Sequence, residues 1–170
     1  MAIDDCPYTF QELAETVLPQ YMAELRISMA CSKPMSDFAV PGDGPATIAG
    51  GMDRNGDFSG CYVLIDRGIP LYVGISRKVI TRLRQHVTGR GHEDATLAYR
   101  MASSAMGHSM SRKDAMAHTE LRRLFHEKRE YLKTMNTAFV EIDNALEMHV
   151  FEAYCAMELD TCVWNTFATH

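Results

Sequence analysis

Two apolar runs about ten residues apart, Cys61-Tyr-Val-Leu-Ile65 and Leu71-Tyr-Val-Gly-Ile75, set the pattern of the chain. Asp66-Arg67-Gly68 between them is a turn signal, so the pair predicts a β-hairpin. Immediately afterwards the apolar residues take up helical spacing. Val79, Ile80, Leu83 and Val87 fall on one face of a helix running from Arg77 to about Val87, with Ser76 as its cap. Arg82 and His86, at i and i+4, share the margin of that apolar stripe.

The remaining elements follow from the same reading. Thr9-Phe-Gln-Glu12 has the form of a capping box, and Phe10, Leu13, Ala14, Val17 and Leu18 continue at helical spacing. Pro19 kinks or restarts that helix, and Tyr21, Met22, Leu25 and Met29 carry its apolar face onward. Residues 31–59 are broken by Pro34, Pro41, Gly42, Gly44, Pro45, Gly50, Gly51 and Gly56, which predicts a long irregular connector with one short strand. A phosphate loop is excluded there, because no Gly-x-x-x-x-Gly-Lys-Ser/Thr occurs. After a polar turn at 89–94, residues 96–106 read as a helix closed by Gly107. Ser111 then caps a longer helix to about Lys133, with Ala117, Leu121, Leu124, Phe125 and Leu132 inward. Residues 137–143 alternate as a third strand, and Asn144 caps a last helix from Ala145 to about Leu159.

Composition narrows the class. A chain of 170 residues with 46% hydrophobic and 23% charged side chains suits one domain with an appended arm. No apolar run reaches the length of a membrane span, and the first residues are acidic where a signal peptide is basic, so a cytoplasmic protein is expected. Five cysteines without a Cys-x-x-Cys pair argue against a disulfide framework or a zinc knuckle. The net charge of −5 conceals an uneven distribution. Residues 77–133 hold 13 basic and 6 acidic side chains, whereas 1–76 hold 4 and 10, and 134–170 hold none and 6. A basic middle on an acidic chain fits a phosphate-bearing partner engaged at one surface. For 120–130 alone, with Glu120, Arg122, Arg123, Glu127, Lys128, Arg129 and Glu130, the better reading is a solvated helix laced with ion pairs.

The hairpin and the helix after it bring two phenols, Tyr62 and Tyr72, towards a guanidinium and an imidazole, but supply no carboxylate to hold a metal. Glu152 is the acid that stands out. On the last helix its neighbours are Met148, Cys155, Ala156 and Leu159, so it interrupts an apolar stripe where an uncompensated charge is costly. Glu147 and Glu158 lie nearer the helix ends and read as solvated. No His-x-x-x-His or His/Cys cluster marks a metal cage.

Taken in order, Gly60-Cys61-Tyr62, Tyr72-Val73-Gly74, Arg82, Glu152 and Asn165 resemble the GIY-YIG nuclease family over about residues 58–92 and 137–166. One departure is Cys61, which stands where the first tripeptide usually has an apolar residue and is expected to face away from the site. The resemblance implies an α+β fold, a small three-stranded antiparallel sheet flanked by helices. It divides the chain into an N-terminal helical arm and connector (1–57) and a nuclease domain (58–170) carrying a helical insertion (93–136). It also implies metal-dependent hydrolysis of DNA phosphodiester bonds, in double-stranded DNA and in the manner of a sequence-specific restriction endonuclease. Glu152 would hold one Mg²⁺ (or Mn²⁺), and Tyr62 would help deprotonate water, directly or with Tyr72 and His86. Arg82 would bind the scissile phosphate, and Asn165 would keep the site in shape. A homodimer suits such an enzyme, since one site cuts one strand. The alternatives are a structure-specific repair or recombination nuclease and a nucleic-acid-binding module without catalysis.

Overall fold

A computed structural model of the chain describes residues 3–107 and 118–167. The predicted cap Ser111 and the inward Ala117 lie outside the described residues. Two compact units are present: the first comprises 1–33, 58–79 and 136–170, the second 34–57 and 80–135.

The first unit is α+β. Thr9 caps α1 (Phe10–Glu12) with both bonds of a capping box: its hydroxyl accepts from the Glu12 N–H, and the Glu12 carboxylate accepts from the Thr9 N–H at 2.7 Å. A π-helical stretch (Leu13–Val17) leads without a break into α2 (Leu18–Ala30), and this wider turn lies directly before Pro19, which has no N–H to give to it. Leu13, Val17, Leu18, Met22 and Leu25 are buried as the spacing requires, while Phe10 and Ala14 are exposed.

The sheet has four strands, not three, in the order β1-β4-β2-β3. The hairpin strands are β2 (Gly60–Asp66) and β3 (Ile69–Ser76); β4 (Asn136–Glu141) pairs antiparallel with the other side of β2. The extra strand is β1 (Lys33–Pro34), the short strand of the connector. It is only two residues long, and Pro34, without an N–H, belongs at a sheet edge. Between β2 and β3 the two turn residues, Arg67 and Gly68, both have positive φ (49° and 83°), the backbone of a type I′ turn. Gly68 adopts it without strain, and Arg67 is the exception that the tight hairpin imposes.

One sheet face presents Cys61, Val63, Ile65, Val73, Ala138 and Val140 to the N-terminal helices and to α7 (Ala145–Glu158), which adds Met148, Phe151, Cys155 and Ala156. The N-terminal arm thus covers its own sheet. Asn144 caps α7 as its sequence predicts, accepting from the Glu147 N–H at 3.1 Å. The alternate positions of the strands, Tyr62, Leu64, Tyr72 and Gly74, point to the opposite face.

In the second unit, α3 (Pro45–Gly50) lies in the connector, and α4 follows the hairpin as Val79–Thr88. Ser76 does not cap it. Its hydroxyl accepts from the Lys78 N–H, outside the helix. The carboxylate of Asp57 takes that role instead, accepting from the N–H groups of Ile80 and Thr81 at 2.8 and 2.9 Å and from the Thr81 hydroxyl at 2.7 Å. The helices α5 (Thr96–Met106), closed by Gly107, and α6 (Thr119–Lys133) pack together. On α6, Arg123 bridges Glu120 and Glu127, and Lys133 meets Glu130, the solvated ion-pair lattice expected of that segment. No helix among the described residues is long and apolar enough to cross a membrane.

Candidate active site

The two tripeptides that carry the resemblance meet as a cross-strand pair. Tyr62 lies directly opposite Gly74 in the β2–β3 register. A Cβ on Gly74 would sit 2.5 Å from both Cζ and the hydroxyl oxygen of Tyr62, so the glycine is there to let the phenol cross its strand. The Tyr62 ring is 1% exposed, and its centroid is 6.3 Å from that of half-buried Tyr72. Gly60 is needed for a different reason. Its Cβ would run into the carbonyl oxygen of Val140, because β4 passes close by.

Asn165 clamps this arrangement from the chain's C-terminal segment. Its amide oxygen accepts from the Val73 N–H at 2.9 Å, and its amide nitrogen donates to the Val73 carbonyl at 2.8 Å. Val73 lies between Tyr72 and Gly74, so both bonds fix the backbone that carries the second tripeptide. Cys61 lies on the sheet face opposite Tyr62, buried in the core beside Cys155 and within reach of the Glu152 charge. Burial first, then the Cys155 hydrogen bond and that charge, push its thiol well above the usual range.

Glu152 is half-buried on α7 and forms no hydrogen bond or ion pair among the described residues. Burial raises its pKa above the ordinary carboxylate value, and the His149 charge partly opposes that. The donor is a hard oxygen with its bonding capacity unspent. That fits a single Mg²⁺, which keeps most of its ligands as water and substrate oxygens. No group of three or more His, Cys, Asp or Glu side chains that could cage a metal occurs among the described residues, so Glu152 would act without a second protein acid.

The buried acid of α7 is Glu147, contrary to its sequence reading as solvated. It is 5% exposed, accepts from the Tyr21 hydroxyl at 2.7 Å, and has the Cys6 thiol 3.8 Å away. Burial and the neighbouring carboxylate raise the Tyr21 pKa, keeping the phenol a donor. This bond ties α2 to α7 and has no catalytic form.

Arg82 and His86 belong to the second unit. Arg82 donates to the Asp94 carbonyl at 2.9 Å, to the Thr96 hydroxyl at 2.7 Å and to the Gln85 side-chain oxygen at 3.4 Å. All three acceptors are neutral, so the guanidinium is held in place while its charge stays available. His86 is fully buried, and burial followed by the Arg82 charge lowers its pKa to about 3. It is therefore a neutral imidazole at neutral pH, and burial and the Arg82 charge make it a weak proton acceptor there. Asp57 is the residue of this region that sequence reasoning missed: it caps the helix bearing both side chains.

Compared with protein-family models, with curated proteins and with solved structures, the chain matches none.

Proposed function

We propose that this protein is a divalent-metal-dependent endonuclease of the GIY-YIG type that hydrolyses phosphodiester bonds of double-stranded DNA. The observation that carries the reading is the pairing of the two tripeptides. The Tyr62 phenol lies across Gly74 beside the Tyr72 ring, with Asn165 bonded to both backbone groups of Val73. A pair of ordinary strand aromatics requires neither the glycine opposite nor the amide clamp.

In this reading a Mg²⁺ or Mn²⁺ ion held by Glu152 supplies charge neutralisation at the phosphate when bound. The Tyr62 hydroxyl, aligned by its cross-strand position, takes part in removing the proton of the attacking water. His86, fully buried and neutral above about pH 3, is too weak a base to take that proton at neutral pH, so this reading gives it no proton-transfer step. Arg82 offers a planar fork that matches two phosphate oxygens, and carries it already ordered by neutral acceptors. Asn165 acts through the backbone of Val73, holding Tyr72 and Gly74 in register.

The test is cleavage of a mixed duplex DNA library with Mg²⁺ or Mn²⁺, by the wild type and by Glu152→Gln, followed by end sequencing. Discrete ends sharing a motif, absent from the variant, are the expected result and identify a restriction-type enzyme. Scattered ends, or ends at junctions and flaps, assign a structure-directed nuclease. No metal-dependent ends together with retained DNA binding refutes catalysis and leaves a binding module.

A further inference from the structure

A second feature of the 80–135 unit has no part in the chemistry above. The polar face of α4, carrying Thr81, Arg84, Gln85 and Thr88, forms one wall of a cleft of about 370 Å³, with Arg90 and Asp94 on the turn that follows. Pro45 at the start of α3 adds an apolar element. The turn can fold back on the helix only because residue 89 is glycine: a Cβ there would lie 2.6 Å from the Asp94 Cβ and from the Gln85 carbonyl. Arg129 holds that glycine from another side, donating to its carbonyl at 2.8 Å.

The charges in the cleft are arranged for an anion. Arg84 donates through Nε to the Asp43 carbonyl at 2.9 Å, so its stem is anchored by a neutral acceptor. Arg90 is exposed, and Asp94 is the one acid in the lining. Guanidiniums ordered by carbonyls keep their charge and have little side-chain entropy left to lose on binding. The cleft is large enough for a sugar and its phosphate, in the range of small-molecule sites.

We propose that this cleft seats the sugar–phosphate backbone of the DNA duplex, with Arg84 and Arg90 on phosphates other than the one that is cut. The proposal rests on the nuclease reading and assigns it a backbone contact that carries no sequence preference. Asp94 moderates the affinity of the cleft.

The test is fluorescence-anisotropy titration of labelled duplexes of unrelated sequence in EDTA, which keeps them uncut, over a range of salt. Arg90→Gln and Arg84→Gln are each expected to raise Kd about 3- to 10-fold on every duplex, and to reduce the salt slope by about 0.9 for each phosphate that is no longer neutralised. Asp94→Asn is expected to tighten binding, a sign that general destabilisation does not produce. Arg90 is exposed, so its variant keeps the test valid should Arg84→Gln not fold. Wild-type Kd and slope in all three variants would overturn the proposal while leaving the nuclease reading intact. Displacement of DNA by millimolar inorganic phosphate at constant ionic strength would instead make the cleft a small-anion site. If the wild type neither binds nor cuts DNA, both readings fall.

Discussion

Gly74→Ala is the sharpest perturbation the structure offers. The added Cβ would lie 2.5 Å from Cζ and the hydroxyl oxygen of Tyr62 and 3.0 Å from Cε1, where unstrained carbon contacts fall at about 3.5–4.0 Å. The ring must retreat by about 1 Å, yet it is 1% exposed and the surroundings are close-packed. Overpacking of this kind costs about 1–3 kcal/mol. Alanine recovers about 0.5–1 kcal/mol of that by restricting the unfolded chain. The net expectation is a loss of about 1–2 kcal/mol, or a fall in Tm of about 2–8 °C for a chain of this size. Urea denaturation followed by circular dichroism measures it, in a cycle with Tyr62→Leu, which removes the atoms in the way. In that background Gly74→Ala should cost nothing, so the two changes couple by about 1–2 kcal/mol. Gly60→Ala is the control. The obstacle there is the Val140 backbone, and no side-chain truncation relieves it. Additivity of Gly74→Ala and Tyr62→Leu to within about 0.5 kcal/mol would refute the account of why that glycine is present.

Asp57→Ala removes the acceptor for two N–H groups at the start of α4 and should cost about 1–2 kcal/mol, measurable as a lower urea midpoint. Tyr21→Phe leaves the buried Glu147 carboxylate without its phenol donor and is expected to lose about 1–3 kcal/mol in the same assay. His86 binds its proton near pH 3 when folded and near 6.5 when unfolded, so the unfolded chain takes up more protons between those values. Its contribution is present above pH 6.5 and is lost as the pH falls towards 3, at roughly 1.4 kcal/mol per pH unit. The stability of His86→Gln, compared with wild type across that window, should decline less steeply, and parallel profiles would contradict the assignment.

What the sequence revealed was what neighbours in the chain decide. The apolar runs 61–65 and 71–75, the caps at Thr9 and Asn144 and the closing Gly107 all depend on residues within a turn of one another. The misses share the opposite property. Asp57 caps α4 across 23 residues, and Ser76, the nearer candidate, lost the role to it. Glu147 read as solvated because its partner Tyr21 lies 126 positions away. β1, the short strand expected of the connector, is two residues with a proline, too short for the sequence to show that it joins the sheet. The resemblance singled out Gly74 and Gly60, but the reasons for them, a crossing phenol and a close strand, belong to the folded sheet.

The Asn165 clamp has a consequence for how these molecules treat one another. β3 ends the sheet, and the N–H and C=O of Val73 on its outer side are a template on which a strand from another molecule could add. The Asn165 amide occupies both, standing in for a single residue of a neighbouring strand. At the other end, β1 closes the sheet with a proline that has no N–H to offer. A chain cut short before Asn165 would uncover an edge rich in Ile, Leu and Val, and β-aggregation would follow from a deletion that removes no core side chain.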